Sequence, residues 1–249
     1  MTPLVSVIIP TYRCAKTIEQ SVRSALSQTL PEIEVIAVDD MSDDGTADVL
    51  HAIEKEDPRL RVIELTEPGD VASTRNCGVR AAKADWVAFL DSDDFWEPDK
   101  LKKELAIAGK TDAAFVYTAA ACMDETGTPT GKVFSVPDSV TAKKLLHGND
   151  VITSTVMVRR ALYETHPMER GDLHEDLICW YHLLKDGAKT AGVNEPLVRY
   201  RVSKGSKSGN KRKSAVMAWK TYAHLGIGFF PRIACFSGYC LHGIKRYWL

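Results

Sequence analysis

An α/β fold, with a mostly parallel central sheet covered by helices on both faces and a helical C-terminal tail, is predicted by three observations. Short β-rich runs alternate with helix-period patterns through the first half of the 249 residues, which is the pattern of strand-helix-strand units. Those runs are apolar at consecutive positions, as strands buried on both faces are. Each run also ends on polar residues, at the carboxyl edge where open sheets of this kind hold their ligands.

Residues 5–9 read as the first strand, 35–38 as the second, 62–65 as the third and 87–90 as the fourth. Between them, residues 17–28 carry Ile18, Val22, Ala25 and Leu26 at helical spacing, and 46–56 and 72–83 continue the alternation. The strand ends then read Pro10-Thr11-Tyr12, Asp39-Asp40 and Asp91-Ser92-Asp93. In the loop after the second strand, Asp44-Gly45 signals a turn and Thr46 a helix cap. The second half is less regular. Residues 113–121 and 153–158 read as strands, Asp124-Glu125-Thr126-Gly127 as a turn, and 173–185 as a helix with Leu177, Trp180, Tyr181 and Leu184 on one face and Asp176 beside that stripe. Without repeats or long linkers, one compact unit is expected, with a first half over 1–110, a second over 111–213 and a tail over 214–249.

The stretch Trp86-Val87-Ala88-Phe89-Leu90-Asp91-Ser92-Asp93-Asp94 carries the most chemistry. Clustered carboxylates at a strand end repel one another unless a cation neutralises them, and oxygen ligands suit a hard divalent ion, Mg²⁺ or Mn²⁺. Such an ion completes its shell with water and substrate phosphates, so a phosphorylated ligand is implied. A helix starting near Pro98 offers the competing use, with Asp93 or Asp94 as its cap.

Apolar content of 45% and charged content of 26% are those of a soluble globular chain. The start, Met1 to Pro10, has no basic region ahead of its short apolar run, so no secretory signal is expected and the cytosol is the default compartment. The six cysteines form neither a C-x-x-C pair nor a His/Cys cluster, which argues against a structural zinc site or a redox motif. Charge is segregated along the chain: no acidic residue follows Glu195, whereas eleven of the 32 basic residues do. An anionic partner is implied for the tail, whether phosphates, a membrane surface or nucleic acid, although no nucleic-acid-binding module is recognisable.

Within the tail, Phe229, Ile233, Phe236, Cys240, Ile244 and Tyr247 fall at helical spacing, with Arg232, Lys245 and Arg246 elsewhere around the helix. Pro231 and Arg232 interrupt the stripe, and a spanning helix needs about twenty apolar residues. The stripe supports two readings: an in-plane amphipathic anchor on an anionic cytoplasmic leaflet, or packing on the protein's own core or a second subunit.

Taken together, Val5-Ser6-Val7-Ile8-Ile9-Pro10-Thr11-Tyr12, Val38-Asp39-Asp40 with Asp44-Gly45-Thr46, Ser73-Thr74-Arg75-Asn76-Cys77-Gly78, Asp91-Ser92-Asp93-Asp94 and Glu175-Asp176 resemble, in content and order, family 2 of the glycosyltransferases. These are inverting nucleotide-sugar enzymes of the GT-A fold. The resemblance covers roughly the first two hundred residues. It implies that Pro10, Thr11, Tyr12, Asp39 and Asp40 line the base and ribose pocket, that Arg75 touches base or phosphates, and that Asp91 and Ser92 approach the ribose. It further implies that Asp93 holds Mn²⁺ or Mg²⁺ against the diphosphate. The run from Tyr200 to Lys211 resembles a loop that closes over that diphosphate, with Lys204, Ser206, Ser208 and Lys211 as contacts; such groups suit phosphate oxygens. Two departures lie beside the pocket: Arg13, where many relatives carry Asn, and Met41, where glycine is common.

Sugar transfer with inversion needs a base for the acceptor hydroxyl and an electrophile for the departing diphosphate. Asp176 is the candidate base; favourable charge in the first turn of a helix would equally explain its position. The expected donor is a UDP-sugar carrying a hexose or N-acetylhexosamine. The expected acceptor is a surface glycan or its lipid-linked precursor, reached from the inner face of the cell membrane, with a homo-oligomer through the tail as a further option. The competing classes are an inert nucleotide-sugar-binding scaffold and a haloacid dehalogenase-type phosphatase, whose acidic motif normally lies near the start of its domain.

Overall fold

The computed structural model describes residues 2–203 and 211–248, with side chains described up to residue 245 apart from 211. Its first half alternates as the sequence predicts: β1 (Val5–Thr11), α1 (Ile18–Leu26), β2 (Ile33–Asp39), α2 (Thr46–Glu56), β3 (Leu60–Glu64), α3 (Val71–Ala81) and β4 (Trp86–Phe89). There follow β5 (Phe95–Trp96), α4 (Lys100–Thr111), β6 (Phe115–Met123), β7 (Pro129–Phe134), α5 (Ala142–His147), β8 (Val156–Arg159), α6 (Arg160–Tyr163), α7 (Glu175–Lys185), β9 (Thr190–Arg201), α8 (Lys211–His224) and α9 (Phe229–Trp248).

Strands β3, β2, β1 and β4 pair in parallel, with Thr11 opposite Asp39 and Ile8 opposite Phe89. The polar ends of β1, β2 and β4 are thereby brought side by side. Beyond β4 the sheet becomes mixed. β8 runs antiparallel between β4 and β6, while β6 and β9 are parallel to each other. β5 and β7 add antiparallel edges on β9 and β6. Helices cover both faces, and apolar clusters lie on each: Val7, Ile9, Val35 and Val22 on one, Ile8, Ile36, Phe89, Phe115 and Trp180 on the other.

Three local expectations are corrected. Residues 153–155 form a 3-10 turn and the strand begins only at Val156. Side chains explain this: the Ser154 hydroxyl accepts from the Asp91 N–H, its carbonyl accepts from Trp96 Nε1, and the Thr155 hydroxyl donates to the Ile152 carbonyl. Such local bonds compete with a ladder. The cap of α2 is Gly45, at φ 90°, and the Asp44 carboxylate accepts from the Thr46 N–H and hydroxyl. Helix α4 begins at Lys100 after Asp99, so neither Asp93 nor Asp94 caps it.

The tail is two helices broken around Gly226 and Gly228. Its sequence stripe divides. Cys235 is buried and Phe236 packs on the core, whereas Phe229, Ile233 and Ile244 are exposed. Among the described residues no helix is long and apolar enough to cross a membrane.

Candidate functional site

A cavity of about 1110 Å³ opens at the carboxyl edge of the parallel strands. Its walls include Pro10, Thr11 and Tyr12 from the end of β1, Asp40 and Met41 after β2, Gly69 to Val71 at the start of α3, and Asp91, Ser92 and Asp93 after β4. Thr153, His174, Glu175 and Asp176 continue it, and Ser214, Tyr239, His242 and Ile244 of α8 and α9 line the far end. Most of the residues singled out from sequence therefore meet at one place.

Asp39 does not line that wall. It is 1% exposed, and its carboxylate accepts from the Thr11 hydroxyl (2.9 Å), the Ser42 N–H (2.8 Å) and the Ser42 hydroxyl (2.7 Å). It ties the ends of β1 and β2 together. Thr11 reaches the cavity with its hydroxyl turned inward to Asp39, leaving Tyr12, Asp40 and Met41 as the accessible side chains at this end. Asp40 Oδ1 accepts from the Gly69 N–H at 2.7 Å, which fixes the carboxylate against the start of α3.

The start of α3 is well specified. Asp70 and Ser73 form a reciprocal capping box, and Asp70 Oδ2 also accepts from the Gly171 N–H at 3.0 Å. The helix thereby positions Arg75. This guanidinium is 4% exposed and donates to Asp91 at 2.6 Å and to Glu175 at 3.0 Å. Those two carboxylates hold the arginine firmly charged despite its burial. Arg75, itself part of the cavity wall, joins the end of β4 to the start of α7.

Asp91, Ser92 and Asp93 sit where the sequence implies, facing the cavity. The Ser92 carbonyl accepts from the Ser21 hydroxyl, and the Asp93 carbonyl accepts from Arg201 Nε. Asp94 is instead buried beneath the loop, 1% exposed, where it accepts from the Arg201 N–H. Burial, then the neighbouring Asp93 and Asp91, push its carboxyl well above the ordinary range. Asp93 is raised to about 6, by burial first and Asp91 second. A half-buried carboxylate raised by a like charge, open to a cavity, fits a hard divalent ion that neutralises both acids. Among the described residues no three His, Cys, Asp or Glu side chains converge on a preformed cage; a magnesium-like ion needs one or two carboxylates and takes the rest of its shell from water and phosphate.

Asp176 lies in the first turn of α7 and lines the cavity. Trp180, one turn later, is fully buried against Phe115, with ring centroids 4.9 Å apart in an edge-on arrangement, so the helix is anchored next to the carboxylate. Asp176 Oδ1 accepts from the Leu177 N–H at 2.7 Å and Oδ2 approaches the Thr153 hydroxyl at 3.4 Å. Burial, then Glu175, raises its carboxyl above the ordinary aspartate value. A carboxylate whose basicity is raised in this way suits proton abstraction.

Sequence reasoning missed several wall residues. His174 had a usable signal, standing immediately before Glu175-Asp176; Nε2 lies 3.2 Å from the Ser214 carbonyl. Tyr239, His242 and Ile244 had none, since only the docking of α9 brings them to the site. Lys204, Ser206 and Ser208 lie outside the described residues; Lys211 begins α8, with its side chain also outside them.

Comparison with known proteins adds a second kind of observation. The family model described as Glycosyl transferase family 2 matches residues 6–166. The chain is 38% identical over 245 residues, 98% of its length and 97% of the relative's, to the Bacillus subtilis (strain 168) protein named "Putative teichuronic acid biosynthesis glycosyltransferase TuaG". It is 33% identical over 244 residues, 98% of its length and 95% of the relative's, to the Escherichia coli UDP-Glc:alpha-D-GlcNAc-diphosphoundecaprenol beta-1,3-glucosyltransferase WfaP. Among solved structures, S. aureus TarS 1-349 in complex with UDP-GlcNAc superposes with a TM-score of 0.74 at 18% identity, over 98% of this chain and 73% of that one. The mannosyltransferase PcManGT from Pyrobaculum calidifontis, in complex with GDP-Man and Mn²⁺, gives 0.70 at 19% identity, over 96% and 69%. Both structural likenesses concern the fold, which is the GT-A arrangement.

Proposed function

The chain belongs to glycosyltransferase family 2, and on that premise we propose that it transfers a hexose or N-acetylhexosamine, with inversion, from a UDP-sugar to a surface glycan or its lipid-linked precursor. One observation carries the reading: a single cavity is lined by the ends of β1 and β2, by Asp91-Ser92-Asp93 and by Asp176. Nucleotide, diphosphate and acceptor hydroxyl each have a matching chemistry there. The donor class is supported by TarS bound to UDP-GlcNAc and by the activity in WfaP's name, and the acceptor class by the names of WfaP and TuaG.

In this reading Tyr12 offers its exposed ring to the base, and Asp40, oriented by the Gly69 N–H, accepts from the base's imide. Asp39 acts one step removed, by holding Thr11 and the loop at Ser42. Asp93, with Asp91 beside it, would hold a Mn²⁺ or Mg²⁺ ion, whose chemistry when bound is to neutralise the diphosphate as it leaves. Asp176 accepts the proton of the attacking hydroxyl. Arg75 keeps the geometry common to both halves of the reaction, because one guanidinium fixes Asp91 on the donor side and Glu175 next to the base. Lys204, Ser206, Ser208 and Lys211 are assigned to the diphosphate by resemblance and by their chemistry alone.

A peripheral seat on the inner face of the cell membrane accompanies this role. Its support is the exposed Phe230, Ile233, Leu241 and Ile244 of α9, together with a chain that carries no acid after Glu195. Self-association through that face is the competing cover.

The reading is tested by nucleotide release from UDP-, GDP- and dTDP-sugars with Mn²⁺ or Mg²⁺, in the native chain and in Asp93→Ala. Release from a UDP-sugar that depends on the ion, and is lost in the variant with the fold retained, is the expected result. No binding of any nucleotide sugar by direct titration would defeat it.

A further inference from the structure

Helix α9 has two faces, and both bear on what the cavity accepts. Its inner face is fixed by close packing. A side chain at Gly148 would meet the His242 ring at 2.5 Å, so α5 and α9 are in contact through a position that has no room for one. His242 Nε2 lies 3.0 Å from Asp150 Oδ1, and the Tyr239 and Ser214 hydroxyls are 2.8 Å apart. Cys235, Tyr239 and His242 follow one another at steps of four and three, along a single helix face. Tyr239, His242 and Ile244 belong to the cavity wall.

The outer face is of opposite character. Ile233 (44% exposed), Leu241 (68%) and Ile244 (53%) recur at helical steps and present apolar surface. Ile244 belongs to both descriptions, lining the cavity while half exposed. The far mouth of the cavity therefore opens directly onto an apolar strip. In the chain, Arg212 and Lys213 precede the cavity-lining Ser214, and Lys245 follows Ile244.

Resting on the glycosyltransferase reading above, we infer that α9 is the acceptor-recognition element, and that it reads three parts of one molecule in order. The inner face, with Tyr239 and His242, receives the acceptor sugar beside Asp176; an aromatic ring with hydrogen-bonding groups around it is a surface that suits a sugar ring. Arg212, Lys213 and Lys245 meet an anionic linker, a phosphate or diphosphate. Ile244 and Leu241 carry the first part of a hydrocarbon chain away from the mouth. The ligand class is a glycosyl phosphate or diphosphate bearing a lipid, and the apolar strip contributes to its binding even where no membrane is present.

The test uses the full chain, its preferred UDP-sugar, and monosaccharide diphosphates of glucose, galactose, N-acetylglucosamine and N-acetylgalactosamine bearing either an octyl or a methyl group. Buffer without membrane or detergent separates the strip from membrane attachment. The native chain is expected to show a KM at least about ten-fold lower for the octyl form of its acceptor, the scale of one buried apolar side chain. Leu241→Ser should abolish that preference, read as the ratio of the octyl to the methyl KM. His242→Ala should raise KM for both forms about ten-fold with the donor KM unchanged. Because His242 is packed against Gly148, Ile244→Trp at the half-exposed rim provides a second variant, expected to raise acceptor KM without lowering Tm. Equal KM for octyl and methyl forms in the native chain, no turnover of any octyl acceptor although donor binds, or acceptor and donor KM rising together in His242→Ala and Ile244→Trp would each overturn the inference. Absence of donor binding in the native chain would instead strike the underlying reading.

Discussion

Arg13 and Met41 follow the ends of β1 and β2 at φ 48° and 58°, in the left-handed region that side chains disfavour. These are the two positions where the sequence departs from its resemblance, which places Asn and Gly there, the residues that tolerate this backbone best. Arg13 has local compensation, since its N–H donates to Ser42 Oγ and its guanidinium pairs with Asp43 at 2.8 Å, although so exposed an ion pair adds little. Met41 is 51% exposed. Met41→Gly should therefore raise stability by about 1 kcal/mol, read as the midpoint of denaturant unfolding; a lower midpoint would show that the methionine side chain makes a contact that outweighs the strain. At this scale the sequence was legible where chemistry is unusual and opaque where it is local. The acidic run after β4 announced Asp93. That Asp39 is enclosed by Thr11 and Ser42 while Asp40 faces the cavity depends on which way each side chain leaves the strand end, and two adjacent aspartates give no sign of that.

At the scale of elements, α7 and α4 each hold ionisable groups inside the protein, with different consequences. In α7, Asp176 is raised above its ordinary 3.8 by burial and then by Glu175. The base form is the deprotonated one, so it is lost as pH falls through the raised value. The acid limb of kcat should accordingly lie above pH 3.8, and a pH profile with turnover fully maintained down to that value would contradict the assignment. In α4, Lys100 and Glu104 form an ion pair at 2.8 Å with both side chains fully buried, and the ammonium sits 4.2 Å from the centroid of the Trp96 ring. Burial draws the lysine down and pushes the glutamate up to about 7. Lys100→Met should cost about 3–5 kcal/mol by leaving a buried acid alone, whereas Lys100→Met with Glu104→Leu should be near neutral or stabilising. Equal losses from the single and double variants, measured by denaturant unfolding, would show that the pair itself is a net source of stability. The pair occupies i and i+4 in a helix, a spacing that in sequence looks like an ordinary surface pair.

Across the whole molecule, the parallel half was legible because each strand announces itself by an apolar run and each crossover by a helical period. The second half was less so. β8 and the turn before it are set by Ser154 and Thr155 bonding to distant or local backbone, and β5 and β7 are short edges that carry no period of their own. The tail gave its helical spacing but not its division into α8 and α9, nor which face would be turned inward, because that is decided by glycine-mediated contact with α5 and by the Tyr239–Ser214 pair. The wall built from strand ends was thus readable from motifs, while the wall built from α8 and α9 exists only once the chain has folded back on itself. The proposed transfer depends on Asp176 as the base of that assembled cavity. The direct measurement is donor affinity by calorimetry alongside sugar-transfer rate, for the native chain and for Asp176→Asn. Unchanged donor affinity with transfer reduced about 10²–10⁴-fold is the predicted result; transfer at a near-native rate would contradict it.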